Sequence, residues 1–327
     1  MFVTMVDIAR ELEISQSTVS RVLNGKDYCR VSQEKAELIR KTAREMGYQV
    51  NLAAVGLRKR QSYAIGALLP SPRDSFYGEL AAELQELLRP TEYIATFAFW
   101  KTLDEAEKAT RQILSRHPAA VITCEPGFLP DGLTIPVVSY YNSDERFDFI
   151  GYDHEAVVRS CVDYLRELGH RDIAYIGGAC KGSLRCLAFP QAMRDAGLPN
   201  GESSWEEGRS PEEGFERLWA GERRPTAILA HNDSAAFRVI RRAWQRGVCV
   251  PDDLSVIGFD DIPQCAVYIP ALTTVRSTVS TAELLLGSVF ARLADSGLPR
   301  QCRIVKSELV RRESCAPLKT MSRRDAK

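Results

Sequence analysis

The chain has 327 residues, of which 43 are Lys or Arg, 43 are Asp or Glu and 45% are hydrophobic. This length exceeds what one ordinary hydrophobic core accommodates, so two or three domains are expected. No apolar run approaches the ~18 residues of a membrane helix, and the polar N-terminus does not resemble a signal peptide. We therefore expect a cytoplasmic protein with no membrane association.

Charge and cysteine content narrow the class of protein further. The first 62 residues hold 11 Lys or Arg against seven Asp or Glu, so the head of the chain is basic and the remainder is acidic. This asymmetry indicates that the basic N-terminal region binds the phosphates of a nucleic acid. The nine cysteines show no paired spacing, which indicates reduced thiols, with no metal site and no cofactor expected.

The first predicted helix follows a capping signal. Thr4 stands three residues before Asp7, the spacing of a capping box. Its predicted apolar side consists of Val6, Ile8, Ala9 and Leu12.

A second helix, Gln16–Leu23, is predicted after Ser15, which can cap it. Its core side is formed by Val19, Val22 and Leu23, and its outer side by Gln16, Ser17 and Arg21. Polar side chains at the start of a second helix are typical of a recognition helix in the DNA major groove. A third amphipathic helix is predicted over 34–46, between Ser32 and Gly47.

These segments resemble the DNA-binding headpiece of the LacI/GalR family of bacterial transcription regulators. The resemblance is carried by VTMVDIA at 3–9, SQSTVSRVLNG at 15–25, Val31-Ser32 and Gly47-Tyr48. Glu13 departs from the pattern, because the family usually has Gly in this turn; a larger residue is compatible with a turn that needs no extreme φ. The resemblance implies base contacts from Gln16, Ser17 and Arg21. We also expect Ser15, Thr18, Ser20, Asn24 and Tyr48 to position the headpiece on DNA phosphates, and Thr4 to be a further DNA-binding residue.

The segment NLAAVGLRKRQS, at 51–62, changes from small and apolar to strongly basic. Composition alone favours an interdomain linker. The family, however, carries here a short hinge helix that forms on DNA and inserts a Leu into the minor groove. Its key positions correspond to Asn51, Ala54 and Leu57. A helix this short is marginal in isolation, which agrees with formation on a bent, phosphate-lined duplex.

From Tyr63 onward, short apolar runs alternate with amphipathic helices, a pattern typical of parallel sheets wrapped by helices. The predicted strands are 64–69, 94–99, 119–124, 136–139, 173–176, 227–230 and 254–258. The predicted helices are 75–88, 103–115, 154–168, 187–196, 211–220, 234–246 and 280–294.

The resemblance continues through this region, in LGHRDIA at 168–174, SVIGFDD at 255–261 and PALTTV at 270–275. It implies a fold class of an all-α helix-turn-helix headpiece followed by a two-lobed α/β effector domain like that of periplasmic binding proteins. The expected domains are 1–49 for the headpiece, 50–62 for the hinge helix and linker, 63–317 for the effector-binding and dimerisation domain with lobes interleaved in sequence, and 318–327 for a flexible tail.

The family's effector-pocket positions correspond to Asp74, Phe76, Tyr77, Arg185, Arg209, Asn232, Asp260 and Ser277. Carboxylates, an amide, a guanidinium and an aromatic face suit a polyol. Arg209 stands where the family often has an aromatic residue, and Ser277 where it often has Gln. Arg209 over the effector favours a sugar acid or sugar phosphate; Arg209 as a surface residue is the alternative.

The predicted function is therefore a ligand-responsive, sequence-specific transcription regulator. We expect a repressor that binds a palindromic double-stranded DNA operator as a homodimer and holds a sugar, sugar acid or sugar phosphate between its lobes. A solute-binding protein would explain the cleft but not the headpiece. An enzyme would need a catalytic cluster, and the adjacent Asp260 and Asp261 are expected to point in opposite directions, as neighbouring strand-end residues do.

Overall fold

The computed structural model describes residues 3–24, 31–49, 62–177, 183–199, 203–204 and 210–319. The chain divides into two compact units, Met1–Tyr63 and Ala64–Lys327. None of the helices in the described residues is long and apolar enough to cross a bilayer.

Three helices make up the described part of the first unit: α1 (Met5–Glu11), α2 (Gln16–Leu23) and α3 (Gln33–Glu45). Each begins after a side chain that accepts from a backbone N–H of the first turn, as predicted from Thr4, Ser15 and Ser32. The helices enclose a small core of Ile8, Ala9, Val19, Val22, Ala36, Ile39 and Ala43. The predicted bounds of α2 are confirmed.

Two details of this unit differ from the sequence-based expectation. Val6 is 46% exposed, because the face of α1 that packs on the core is formed by Met5, Ile8, Ala9 and Leu12. Glu13 has φ +49°, so the turn does require the left-handed region that favours glycine.

The second unit contains two sheets of parallel strands, each the centre of a lobe. The first lobe has strands in the order β11-β5-β4-β3-β1-β2. Their bounds are Ala64–Pro70 for β1, Ile94–Trp100 for β2, Ala120–Thr123 for β3, Val137–Tyr140 for β4, Asp148–Tyr152 for β5 and Cys302–Val305 for β11. Helices α4 (Ser75–Leu88) and α10 (Thr281–Ala294) pack into one core cluster, and α5 (Leu103–Leu114) into another.

The second lobe has the strand order β7-β6-β8-β9. These strands are Ile173–Ile176 for β6, Ser203–Ser204 for β7, Ala227–Ala230 for β8 and Ser255–Ile257 for β9. Helices α6 (His154–Glu167) and α7 (Leu184–Asp195) share one core cluster, while α8 (Pro211–Ala220) and α9 (Asp233–Gln245) share another.

Within the described ranges, the chain passes between the lobes at three places: from β5 to α6, from β10 (Thr274–Ser277) to α10, and from β11 to β12 (Ser307–Val310). β10 and β12 pair antiparallel beside these crossings. Because both sheets are parallel, the C-terminal ends of their strands form an edge where side chains converge.

Apart from the hinge helix, which lies outside the described residues, the predicted strands and helices all exist, with ends that move by at most three residues. The strands β5, β7, β10, β11 and β12 were missed. β7 has two residues, and most of β11 and β12 is not buried, so they lack the apolar run that marks a buried strand. Helix α7 begins three residues before the predicted start, with Pro190 inside it.

Candidate functional site

The exposed side of α2 presents the three side chains predicted to contact bases. Gln16, Ser17 and Arg21 are all exposed, whereas Val19 and Val22 on the opposite side are buried. The small core therefore holds α2 rigidly while its polar side remains accessible. Such a surface can offer amide, hydroxyl and guanidinium groups to the edges of bases.

The other predicted headpiece residues occupy helix ends. Thr4 and Asp7 form a full capping box, and the resulting hydrogen bonds from Thr4 lower the pKa of the Asp7 carboxyl. The Ser15 hydroxyl lies 2.9 Å from that of Ser17 and 2.8 Å from that of Thr18. The Asn24 side chain donates to the Ser20 carbonyl and hydroxyl groups.

Tyr48 packs partly buried against the headpiece core. The predicted hinge residues Asn51, Ala54 and Leu57 lie outside the described residues, as does Arg209.

In the second unit, a cavity of about 210 Å³ is lined by residues from both lobes. It brings together four of the predicted effector residues: Phe76, Arg185, Asp260 and Ser277. Tyr77 packs edge-on against Phe76, with ring centroids 5.2 Å apart. The cavity also includes Tyr140, Tyr152 and His154, which sequence reasoning did not single out.

Arg185, on α7, organises the polar part of the cleft. Its Nη1 donates to the His231 carbonyl at 2.7 Å, and its Nη2 donates to Asp260 Oδ1 at 3.1 Å. The guanidinium carbon lies 4.6 Å from the ring centre of Phe259, an arrangement that adds a cation–π attraction. Burial lowers the pKa of Arg185, but the Asp260 carboxylate together with the hydroxyls of Tyr141, Tyr175 and Tyr140 holds the pKa above its ordinary value.

The side chains of Asp74 and Asn232 form a hydrogen bond with each other. Asp74 Oδ2 accepts from Asn232 Nδ2 at 2.9 Å. Burial, followed by the charge of Asp260, raises the pKa of Asp74 to about 6. Two predicted effector contacts therefore already satisfy one another.

Two histidines lie beside Arg185, the buried His154 and the partly buried His231. Burial and then the Arg185 charge lower the pKa of His154 to about 4 and that of His231 to about 3, so both are neutral at pH 7. Within the described residues, His154 Nδ1 and Arg185 Nε are buried without a hydrogen-bond partner. Buried polar atoms without partners are uncommon, so each of these two nitrogens has an unused capacity for one hydrogen bond.

An aromatic wall completes the cleft. The rings of Phe76 and Tyr140 stack with centroids 6.1 Å apart, and Tyr152 meets Tyr140 edge-on at 6.0 Å. His154 in turn lies 6.2 Å from Tyr152. Tyr140 and Tyr152 are the last residues of β4 and β5, so the strand-end rule could have found them had β5 been predicted.

Asp260 and Asp261 were expected to point in opposite directions because neighbouring strand residues alternate. That expectation is wrong, because the two residues do not continue the strand. Both border the same cavity, because their φ values of +107° and +53° break the alternation of a strand. Their partners differ, since Asp260 pairs with Arg185 and Asp261 with Arg312 at 2.7 Å. Asp261 also lies 3.8 Å from Arg276, so both carboxylates are paired with arginine, but not with the same one.

Comparison with known proteins gives matches over both units. Residues 4–51 match the model described as "Bacterial regulatory proteins, lacI family", and residues 162–315 match "Periplasmic binding protein-like domain". The chain is 30% identical to the HTH-type transcriptional regulator DegA of Bacillus subtilis, over 98% of this chain and 100% of that protein. It is also 30% identical to the ribose operon repressor of Halalkalibacterium halodurans, over 89% of this chain and 88% of that protein.

Among solved structures, the chain is similar to the Lac repressor dimer bound to operator and the anti-inducer ONPF. The TM-score is 0.81 at 23% sequence identity, covering 97% of this chain and 100% of that one. This similarity shows the fold: a helix-turn-helix region followed by a two-lobed α/β domain.

Proposed function

Because the chain belongs to the LacI family of DNA-binding transcription regulators, which are not enzymes, we propose that it is a ligand-responsive repressor. It binds a palindromic operator as a homodimer in the cytoplasm and holds a sugar-type effector between its lobes. The observation that carries the proposal is the exposed side of α2, where Gln16, Ser17 and Arg21 stand on a helix anchored by a buried core.

DNA contact begins at this side of α2, which enters the major groove. Arg21 has the fork geometry that matches two acceptors on guanine, and Gln16 can bond both polar atoms of adenine. The phosphate contacts come from Thr4, Ser15, Thr18, Ser20, Asn24 and Tyr48. Such contacts fix orientation without carrying sequence information.

The proposed domains are the headpiece at 1–49, the hinge helix and linker at 50–62, the effector and dimerisation domain at 63–317, and the tail at 318–327. Asn51, Ala54 and Leu57 form the hinge helix on DNA, and Leu57 enters the minor groove. Leu57→Ala should then reduce both operator bending and affinity. If fluorescence showed the operator DNA equally bent by this variant, insertion of Leu57 into the minor groove would be excluded.

Homodimer formation has support in the second lobe. Val267, Tyr268 and Ile269 form an exposed apolar run, with Ile269 95% exposed. Tyr268 packs edge-on against Phe237 of α9, the helix that also carries the exposed Trp244. An exposed apolar patch of this kind is typical of a protein interface.

The effector class follows from the charges and ring faces of the cleft. Arg185 is paired with Asp260, and Arg312 and Arg276 lie 2.7 Å and 3.8 Å from Asp261. Two further carboxylates, Asp74 and Glu83, lie nearby, so the carboxylates outnumber the guanidinium groups. This balance disfavours an anion, so of the sugars, sugar acids and sugar phosphates considered, the described residues favour a neutral sugar. The aromatic wall covers its C–H face. A shift of the Arg185 and His154 side chains on binding would let the unpartnered Arg185 Nε and His154 Nδ1 bond its oxygens.

The test is selection of binding sequences from a random double-stranded DNA pool with the full chain, followed by gel shift with and without neutral sugars. The expected result is enrichment of a palindrome whose half-sites bind cooperatively, and a sugar-dependent change in the shift. Retention of DNA without any enriched sequence would refute sequence-specific regulation. A shift that responds only to sugar acids or phosphates would refute the neutral effector.

A further inference from the structure

The two lobes of the second unit are joined by a hydrogen bond between two helix caps. Asp74 precedes α4 in the first lobe, and its Oδ1 accepts from Phe76 N at 3.1 Å. Asn232 precedes α9 in the second lobe, and its Oδ1 accepts from Ala235 N at 2.9 Å. The remaining polar atoms meet, since Asn232 Nδ2 donates to Asp74 Oδ2 at 2.9 Å.

Phe76, two residues after Asp74, independently places this contact where the lobes touch. Its ring packs against the core cluster that contains α4 and also against the cluster that contains α9. Neither Asp74 nor Asn232 lies in the segments that cross between the lobes. A bond at this place therefore restrains the angle between the lobes in addition to the three crossing segments.

We propose that Asp74 and Asn232 form a latch that holds the lobes in the relative arrangement of this structure, and that a ligand which hydrogen-bonds to either residue in place of the other loosens it. The latch concerns the lobes themselves. Only its consequence for DNA binding rests on the proposed function.

Asp and Asn are equally good helix caps, so the latch can be broken without removing either cap. Asp74→Asn places an amide NH2 against the Asn232 NH2. Asn232→Asp places a carboxylate against the Asp74 carboxylate. The double variant exchanges donor and acceptor, because the new amide in the first lobe can donate to the new carboxylate in the second, while both oxygens that cap the helices are kept.

The experiment compares the wild type, both single variants and the double variant in the full chain at pH 8. Asp74, with a pKa of about 6, is ionised there. Asn232→Asp should lower the Tm of the second unit by about 2–4 °C, the shift expected for one lost hydrogen bond in a unit of this size. Asp74→Asn also removes a buried carboxylate whose pKa is raised, which offsets its loss of Tm, so this variant is judged by hydrogen exchange. Hydrogen exchange should rise in the cleft peptides that contain Tyr140 and Tyr152. The double variant should regain at least half of both changes.

The matched control is Asp153→Asn, an exchange at the cap of α6. Asp153 Oδ1 accepts from Ala156 N at 2.9 Å, so only its local cap is involved, and neither Tm nor cleft exchange should change. A double variant no better than Asn232→Asp, or single variants identical to wild type, would overturn the latch. These measurements involve no DNA, so their failure is distinct from a failure of sequence selection.

Discussion

The first and second units present their polar groups in opposite ways. On α2, Gln16, Ser17 and Arg21 are exposed on a helix whose other side is buried. In the cleft, Arg185 and Asp260 are largely buried and bonded to each other. The polar side of α2 is accessible to a partner without rearrangement. In the cleft, the polar groups already form hydrogen bonds and ion pairs with one another.

This difference determines what a substitution should change. Removing an exposed side chain of α2 leaves the helix and its core intact, so binding changes and stability does not. Removing a member of the cleft network leaves a buried partner without its bond, so stability changes first. In the cleft, recognition and folding are therefore coupled.

Arg185→Ala should produce the largest effect. Asp260 would remain as a buried carboxylate without its cation, which costs about 3–5 kcal/mol of unfolding free energy. Urea unfolding of the second unit is the measurement. The control is Arg185→Ala combined with Asp260→Ala, which removes both charges and should be less destabilised than the single variant. Equal or greater destabilisation of the double variant would mean that the pair is not the source of the cost.

His154→Gln should change how the free energy of unfolding of the second unit depends on pH. The pKa of His154 is lowered from its ordinary value of 6.5 to about 4, chiefly by burial. A lowered pKa means that the folded state binds fewer protons than the unfolded state near pH 5. The stabilisation is therefore complete above pH 6.5 and is lost as pH falls towards 4, by at most about 3 kcal/mol.

The Gln variant lacks this loss. Its free energy of unfolding relative to wild type should therefore increase as the pH is lowered from 7.5 to 4.5. Measuring the difference between the two proteins removes the contributions of groups that both share. His117→Gln, the same exchange at an exposed position, is the matched control for the substitution itself. A relative stability of His154→Gln that is independent of pH would mean that the buried imidazole is not excluded from protonation.

Glu13→Gly should give a smaller effect, in the first unit. Glu13 has φ +49°, and a residue with a side chain is destabilised there by about 1–2 kcal/mol, which glycine avoids at some cost in chain entropy. A net gain of about 0.5–1 kcal/mol is expected, seen by calorimetry as a higher Tm for the first unit. Gly47→Ala is the opposite control, because Gly47 has φ +72° with no atom close to a new Cβ. If both substitutions raised the Tm of the first unit, or both lowered it, the positive φ would not be the cause of the change in stability.

The headpiece was largely predictable from sequence because its signals are local. The caps at Thr4, Ser15 and Ser32 and the spacing of apolar residues fix three helices, and α2 has the predicted bounds. Val6 was misplaced because α1 is only seven residues long, too short for periodicity to define its buried side sharply. Glu13 was the other exception, since one sequence does not reveal the φ that a turn requires.

The cleft was less predictable because its geometry depends on distant segments. Family resemblance identified Arg185 and Asp260, which are 75 positions apart and form an ion pair. It did not reveal that Asp74 bonds Asn232, 158 positions away. His154 and Tyr152 were missed because β5, which precedes α6, was not predicted. Such pairings arise from the packing of two lobes and leave no local periodic pattern.

The most direct test of the central claim is the affinity of Arg21→Ala for a selected operator and for random DNA. The substitution should weaken operator binding by about 1–3 kcal/mol and leave binding to random DNA nearly unchanged, because base contacts carry specificity and phosphate contacts do not. Arg44→Ala, an exposed change on α3, should not reduce the ratio of the two affinities. Equal losses on operator and random DNA after Arg21→Ala would contradict reading of bases by α2.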